Sequence, residues 1–356
     1  MAQPGILRDI LGQPASLQKQ LEYLRTEGQP ALKAAAEHLR RNSDRIILSG
    51  MGASLFACRP LSLWFGRHGV LAPVIETSDL LHYQQELCRK ATLVLVSRSG
   101  RTIETTKLLH AVDPRDCHVI GVTAVTDSPL AEQSQNVIEI RTTPDTMVSI
   151  QSYPGTVLAL LALGAAAVGQ FDDSWQSRAA ALIDPWERSI DEDLKASEGW
   201  HDFFVNPRVI YLTARGPSLA SALQGALLFN EVAKVPAAGV SAANFRHGPV
   251  EIVNPDFRGL IFATQAATNQ LDIGLARDVE RFGGQVRVIG PTDALRDKLP
   301  AASIWPIPNV PEPFGPVIEV SPIQIAAYRT ALWRNVELDK FQYAGPVALN
   351  EENLGG

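Results

Sequence analysis

The chain is built from short β-branched runs that alternate with amphipathic stretches, and about midway this alternation begins again. That grammar belongs to parallel α/β layers, because each return to a parallel sheet needs a crossover, usually helical. In the first half the runs are RIILSG at 45–50, APVIE at 72–76, TLVLVS at 92–97, HVIGVTA at 118–124 and VIEIRT at 137–142. An opening helix is expected over about Pro14 to Arg41, where Leu17, Leu21, Leu24 and Leu32 recur at helical spacing. A helix through Arg67 follows the first run, another opens after the third, and a long apolar helix fills about Gly155 to Val168. In the second half the runs are RVIYLTARG at 208–216, GLIFATQ at 259–265 and QVRVIG at 285–290, with long helices over about Ser218 to Lys234 and Val317 to Arg334. Between the halves, Asp172 to Phe204 reads as helical and polar, with Trp175, Trp186 and Trp200 as packing anchors. WPIPNVPEPFGP at 305–316 reads as a loop, since proline removes donors and stops helices.

A length of 356 residues suits two domains with a sizeable core, here divided as 1–190 and 191–356. The net charge of −6 argues against a nucleic-acid binder, which would present a basic field. A small anion can still be held, because phosphate sites draw on backbone N–H groups as much as on net charge. Three scattered cysteines, Cys58, Cys88 and Cys117, with no CxxC pair, read as buried free thiols rather than a disulfide framework or zinc site. The N-terminus lacks the pattern of a signal peptide, and the longest apolar run, Thr156 to Gly169, falls short of the roughly 18 residues a membrane span needs. A cytoplasmic protein without membrane or nucleic-acid partners is expected, and no metal or other cofactor.

Two turns carry the first half's chemistry. GMGAS at 50–54 places Gly50 and Gly52 in a tight turn after a strand, with Ser54 at the start of the next helix. SRSGRT places Ser97, Ser99 and Thr102 around Gly100 in the same strand-to-helix position. Small hydroxyls and free N–H groups at a helix N-terminus make an anion site, and in open α/β sheets ligands sit beyond the strands' carboxyl ends. Either turn alone reads first as plain helix capping; the pair, after the first and third strands, points to binding. Neither is a GxGxxG fingerprint nor a P-loop, which speaks against dinucleotides and ATP.

GMGAS, ETSDLLHY at 76–83, SRSGRT and the Ser149–Tyr153 segment resemble the successive motifs of the sugar isomerase (SIS) domain. ARGPSLASALQGALLFNEVAK and ANFRHGP resemble the second SIS domain in the isomerase half of glucosamine-6-phosphate synthase. The resemblance covers nearly the whole chain. It implies two flavodoxin-like three-layer α/β/α domains, each with a roughly five-stranded parallel sheet, and a homodimer with sites near the subunit interface. By this likeness Gly52, Ser54, Ser97, Ser99, Gly100 and Thr102 hold a sugar phosphate, and Ser149 lies near the sugar. Arg98 and Arg101 are expected to face solvent.

Glu231 and His247 are the catalytic candidates. A carboxylate and an imidazole suit aldose–ketose chemistry, where one group shuttles a proton between C1 and C2 and another opens the ring. Taken singly, each is compatible with a solvated charge or a loop residue. The resemblance puts Glu231 where the family's proton-transfer glutamate falls and His247 where its ring-opening histidine falls, often contributed by the neighbouring subunit. His38 and His110 lack such context and are expected to pack or face solvent.

The sequence departs from the synthase pattern twice. No lysine precedes the glutamate in Leu227–Asn230, and the tail lysine that forms a Schiff base with the ketose has its counterpart near Pro346. A glutaminase activity is not expected. A Schiff base needs an amine nucleophile, so the chemistries left open are isomerisation through an enediolate, deamination of an amino-sugar phosphate, and deglycation of a ketosamine 6-phosphate. The alternative is a non-catalytic phosphosugar sensor, which the missing lysine also fits.

Overall fold

The computed structural model describes residues 3–42, 44–343, 345 and 347–352. They form two compact units. The first comprises Gly12–Ala181 with the described residues from Lys340 onward, and the second comprises the described residues up to Leu11 with Leu182–Asp339.

In the first unit five parallel strands, β1 (Ile46–Gly50), β2 (Val74–Glu76), β3 (Ala91–Val96), β4 (Cys117–Thr123) and β5 (Asn136–Glu139), lie in the order β2-β1-β3-β4-β5. The central strands β1 and β3 are buried along their whole length. That is why they read as continuous apolar runs rather than alternating ones: helices cover both faces. The helix Ser152–Ala167 is buried almost all round and packs on the helices Ala53–Arg67 and Gln29–Arg41. Gly164 permits this approach, since a Cβ there would lie 2.6 Å from Leu61 Cδ1. Each of its buried leucines contributes roughly 1.5–3 kcal/mol by leaving water.

The second unit repeats the plan with β6 (Ile210–Ala214), β7 (Ala237–Ser241), β8 (Arg258–Phe262), β9 (Gln285–Gly290) and β10 (Ile304–Pro306), all parallel, in the order β10-β9-β8-β6-β7. Counted within its own unit, this is the same 2-1-3-4-5 order as the first sheet. The two flavodoxin-like five-stranded sheets expected from the sequence are both present.

Several elements differ from the sequence reading. The opening helix starts at Gly5 and is two helices, Gly5–Arg25 and Gln29–Arg41. The break falls at Gly28, ahead of Pro30 in the second helix's first turn, where the missing proline N–H costs nothing. The last helix also breaks, into Gly315–Ile318 and Ser321–Trp333, with Pro322 at the start of the second piece. The edge strand β7 has no counterpart in the sequence reading, and β10 starts the proline-rich stretch read as a loop. A division at residue 190 places the tail with the second half, whereas residues from Lys340 group with the first unit. There Ala348 C=O accepts from Ile103 N–H at 3.0 Å, and Glu351 pairs with Lys107 and with His82. Trp175 and Trp186 are fully buried, Trp200 half-buried. The three cysteines are buried and free. No helix among the described residues is long and apolar enough to cross a membrane.

Candidate functional site

In a sheet of order 2-1-3-4-5 the chain leaves the first strand in one direction and the third in the other, so a crevice opens between their carboxyl ends. In the first unit that crevice lies at the ends of β1 and β3, from which GMGAS and SRSGRT emerge. The two turns singled out in the sequence are therefore neighbours. A Cβ on Gly50 would lie 3.0 Å from the backbone of Ser54, Leu55 and Val96, so only glycine lets the turn fold this closely onto β3. Gly52 has φ +50, and Ser54 stands in the first turn of the helix that follows, with its N–H bonded to Met51 C=O.

The SRSGRT turn is held by its own hydroxyls. Ser97 Oγ accepts from Gly100 N–H at 3.1 Å and lies 3.2 Å from Thr102 Oγ1; Ser99 Oγ accepts from Arg101 N–H at 3.2 Å. Gly100 has φ +62, and a Cβ there would sit 2.0 Å from Ser128 Oγ, so any other residue is excluded on both counts. Thr102 is the N-cap of the helix Ile103–Ala111, yet its hydroxyl makes no capping bond and turns to Ser97 instead.

Arg98 is not directed to open solvent. Its guanidinium lies 3.3 Å from Asp145 and donates to Ser149 Oγ at 3.4 Å, with a quarter of the side chain exposed. Asp145, buried, also accepts from the N–H groups of Ile150, Gln151 and Ser152 at the start of the helix Ser152–Ala167. Burial pushes its carboxyl above the usual range, and the hydroxyl of Ser152, Arg98 and these N–H bonds oppose the rise. Asp145 thus joins Ser149, through Arg98, to the SRSGRT turn. Asp145 carries no motif signal; its proximity to Arg98 comes from the fold. Arg101 does face solvent in part, and donates to Asp127 C=O.

The second unit carries the same crevice between β6 and β8. Gly216 follows β6 at the offset at which Gly52 follows β1, with φ +57, and Ser218 stands at the offset of Ser54. Here the crevice holds the carboxylate of Glu319, a fully buried residue in the break of the last helix. Ser218 Oγ donates to its Oε1 and Ser221 Oγ to its Oε2, both at 3.0 Å, and Gln265 Nε2 lies 3.4 Å from Oε1. Gln265 follows β8 at the offset of Ser99 after β3. Gly315 leaves room for the carboxylate, since a Cβ there would lie 2.3 Å from Oε1. Nothing in the sequence PVIEVSP marks this glutamate as buried.

Glu231 lies in a single π-helical turn, Phe229–Ala233, that ends the helix Leu219–Leu228. Such turns are rare and gather at functional sites. Glu231 is half-buried, and its carbonyl accepts from Lys234 Nζ at 2.6 Å. His247 is exposed, and its ring makes no hydrogen bond or ion pair among the described residues. Both residues belong to the second unit, and the hydroxyls of the first crevice belong to the other. His38 stacks on His118 at 3.5 Å and bonds Thr92, while His110 is exposed. Pro346, the counterpart of the tail lysine, lies outside the described residues. No group of three or more His, Cys, Asp or Glu side chains suited to a metal ion occurs among the described residues.

A family model described as the SIS domain matches residues 39–168 and, again, 203–333. The glutamine–fructose-6-phosphate aminotransferase (isomerizing) of Pyrococcus horikoshii is 25% identical over 340 residues, covering 94% of this chain and 56% of that protein. Its namesake from Brucella abortus is 26% identical over 310 residues, covering 83% and 50%. The chain thus spans about half the length of the curated relatives it matches. Among solved structures, the C-terminal domain of glucosamine-fructose-6-phosphate aminotransferase from Francisella tularensis superposes with a TM-score of 0.84 at 17% identity, covering 95% of this chain and 98% of that one. Glucosamine-6-phosphate deaminase from Thermotoga maritima gives 0.75 at 18% identity, covering 96% and 99%. These structures share the fold. The matched segments contain both crevices, Glu231 and His247, and the chain belongs to the SIS domain family.

Proposed function

We propose that the protein is an enzyme acting on a phosphosugar, an isomerase or a deaminase/deglycase of amino-sugar (ketosamine) 6-phosphates. The observation that carries this reading is the pair of matched crevices. One is filled by the chain's own carboxylate, Glu319, on serine hydroxyls at a helix N-terminus; the other has the same backbone plan and offers Ser54, Ser97, Ser99 and Thr102 to a phosphate. The names of the relatives, aminotransferases and a deaminase of hexosamine phosphates, support an amino-sugar substrate.

In this reading Glu231 takes the proton from the carbon next to the carbonyl and returns it to the neighbouring one, through an enediolate. His247 donates to the ring oxygen as the sugar opens. With proline near the position of the family's amine nucleophile, no Schiff base is invoked. The exposed ring of His247, which has no hydrogen bond or ion pair among the described residues, supports its acting on a second copy of the chain in a homodimer. Mixing Glu231→Gln protein with His247→Ala protein and allowing subunits to exchange should then restore activity that neither has alone; no recovery would place His247 in its own subunit's site or outside the chemistry.

The assay is proton NMR in D2O with fructose 6-phosphate, glucosamine 6-phosphate and a 6-phosphorylated fructosamine adduct. Deuterium entering C1 or C2 identifies isomerisation, and released ammonia or amine identifies deamination or deglycation. Line-broadening without exchange or product would favour a phosphosugar sensor. Ser99→Ala should weaken binding of the active phosphosugar about 10- to 100-fold by calorimetry, the worth of one hydrogen bond to a charged group. Unchanged affinity would remove the turn from the site.

A further inference from the structure

We propose that Lys234 is a positioning residue for the phosphosugar chemistry: its ammonium, bound to the backbone carbonyl of Glu231, locks the π-helical turn that aims the proton-transfer carboxylate. The inference deepens the phosphosugar reading and rests on Glu231 as the group that moves the proton.

The backbone at the end of this turn cannot satisfy itself. Helical carbonyls take their donors from the N–H groups roughly three to five residues further on. For Glu231 C=O those positions are Lys234, Val235 and Pro236. The N–H groups of Lys234 and Val235 both go to Phe229 C=O, and proline has no N–H to give. Glu231 C=O accepts instead from the side chain of Lys234, whose Nζ lies 2.6 Å away. A cation there also suits the negative end of the helix dipole. Lys234 itself is left-handed, with φ +53 and ψ +37. Glycine or asparagine is the ordinary terminator in that conformation, and a lysine there is strained. The bond from its side chain accounts for a lysine at such a position.

The rest of the turn is anchored as well. Phe229, Val232 and Ala233 are buried, and the helix Ser321–Trp333 packs on the turn. Asn230 bonds the start of β7 twice: its Nδ2 donates to Ala237 C=O at 3.2 Å, and its Oδ1 accepts from Ala237 N–H at 3.0 Å. The polar side chains on either side of Glu231, Asn230 before it and Lys234 after it, therefore both bind backbone. A backbone held in this way fixes the direction in which the glutamate leaves the chain. Proton transfer from carbon depends on that direction, since a misplacement of about 1 Å can cost on the order of 100-fold in rate.

The test is the D2O exchange assay, run for kcat and KM on whichever of the three phosphosugars the wild-type chain turns over. Lys234→Met, which keeps the length of the side chain but has no donor, should lower kcat about 10- to 100-fold with little change in KM. Lys234→Arg, whose guanidinium can reach the same carbonyl, should recover most of that loss. Lys234→Gly relieves the left-handed strain while removing the clamp, so kcat should fall without a fall in the urea midpoint. In a Glu231→Gln background Lys234→Met should add no further loss, because Lys234 acts through Glu231. Wild-type kcat in Lys234→Met, a loss confined to KM, no recovery with arginine, a Lys234→Gly variant that loses stability rather than kcat, or an additive loss in the double variant overturns the proposal. A wild-type chain that turns over none of the three, or a fully active Glu231→Gln variant, overturns the reading of Glu231 and the proposal with it.

Discussion

Glu231→Gln is expected to lower kcat by about 10²–10⁴, the usual worth of a positioned proton-transfer group, with little change in KM. The amide matches the carboxylate in shape but cannot accept the proton. The split between kcat and KM decides the role. A structural glutamate on this turn would move both through misfolding, whereas a base is needed only when the proton leaves carbon. Loss of deuterium incorporation should parallel the loss of kcat, and a fully active variant would remove Glu231 from the chemistry. The π-turn is the structural reason to expect so local an effect: it re-aims the end of a helix whose preceding residues are almost all buried.

The second large effect concerns stability. Glu319→Ala should cost about 3–5 kcal/mol, because Ser218, Ser221 and Gln265 would lose their shared acceptor in a fully buried place. Glu319→Gln should cost less, about 1–2 kcal/mol, since one oxygen remains to accept. Urea unfolding of the two variants measures the difference, and a loss within error for the alanine variant would mean that the crevice does not need the carboxyl group. The pH dependence has a definite sign. Burial raises the Glu319 carboxyl above its ordinary 4.5, against the hydrogen bonds from Thr264, Ser218, Ser221 and Gln265. A raised acid favours the folded state only while protonated, so wild-type stability relative to the glutamine variant should decline as pH rises from about 4.5 through the folded value. A difference independent of pH would mean that the carboxyl does not titrate in this range.

The missed elements share a cause. β7, with the sequence AAGVS, and β10, IWP, are edge strands that pair on one side only, so neither carries the unbroken apolar run that marks β1, β3 and β8. β7 is low in β-formers for a steric reason as well. A Cβ on Gly239 would lie 2.7 Å from Leu223 Cα, so the helix Leu219–Leu228 presses on a strand that cannot carry a side chain there. The helix read over about Val317 to Arg334 is two pieces in the structure, the second with Pro322 in its first turn.

The sequence by itself determined the layer architecture and the two strand-to-helix turns, while Glu231 and His247 were singled out by resemblance to the family's motifs. Parallel strands buried on both faces, and glycines that no other residue can replace, are constraints written locally, residue by residue. Tertiary structure alone decided which polar groups are paired and where. Arg98 reads as a solvent-facing charge until Asp145 and Ser149 are brought beside it, and nothing in the polar stretch Asp172 to Phe204 singles out Asp193, to which Trp305 donates. Glu319 reads as a helix-surface glutamate until the chain turns it into the crevice between β6 and β8. Burial of a charge depends on partners distant in sequence, and no local pattern encodes that distance.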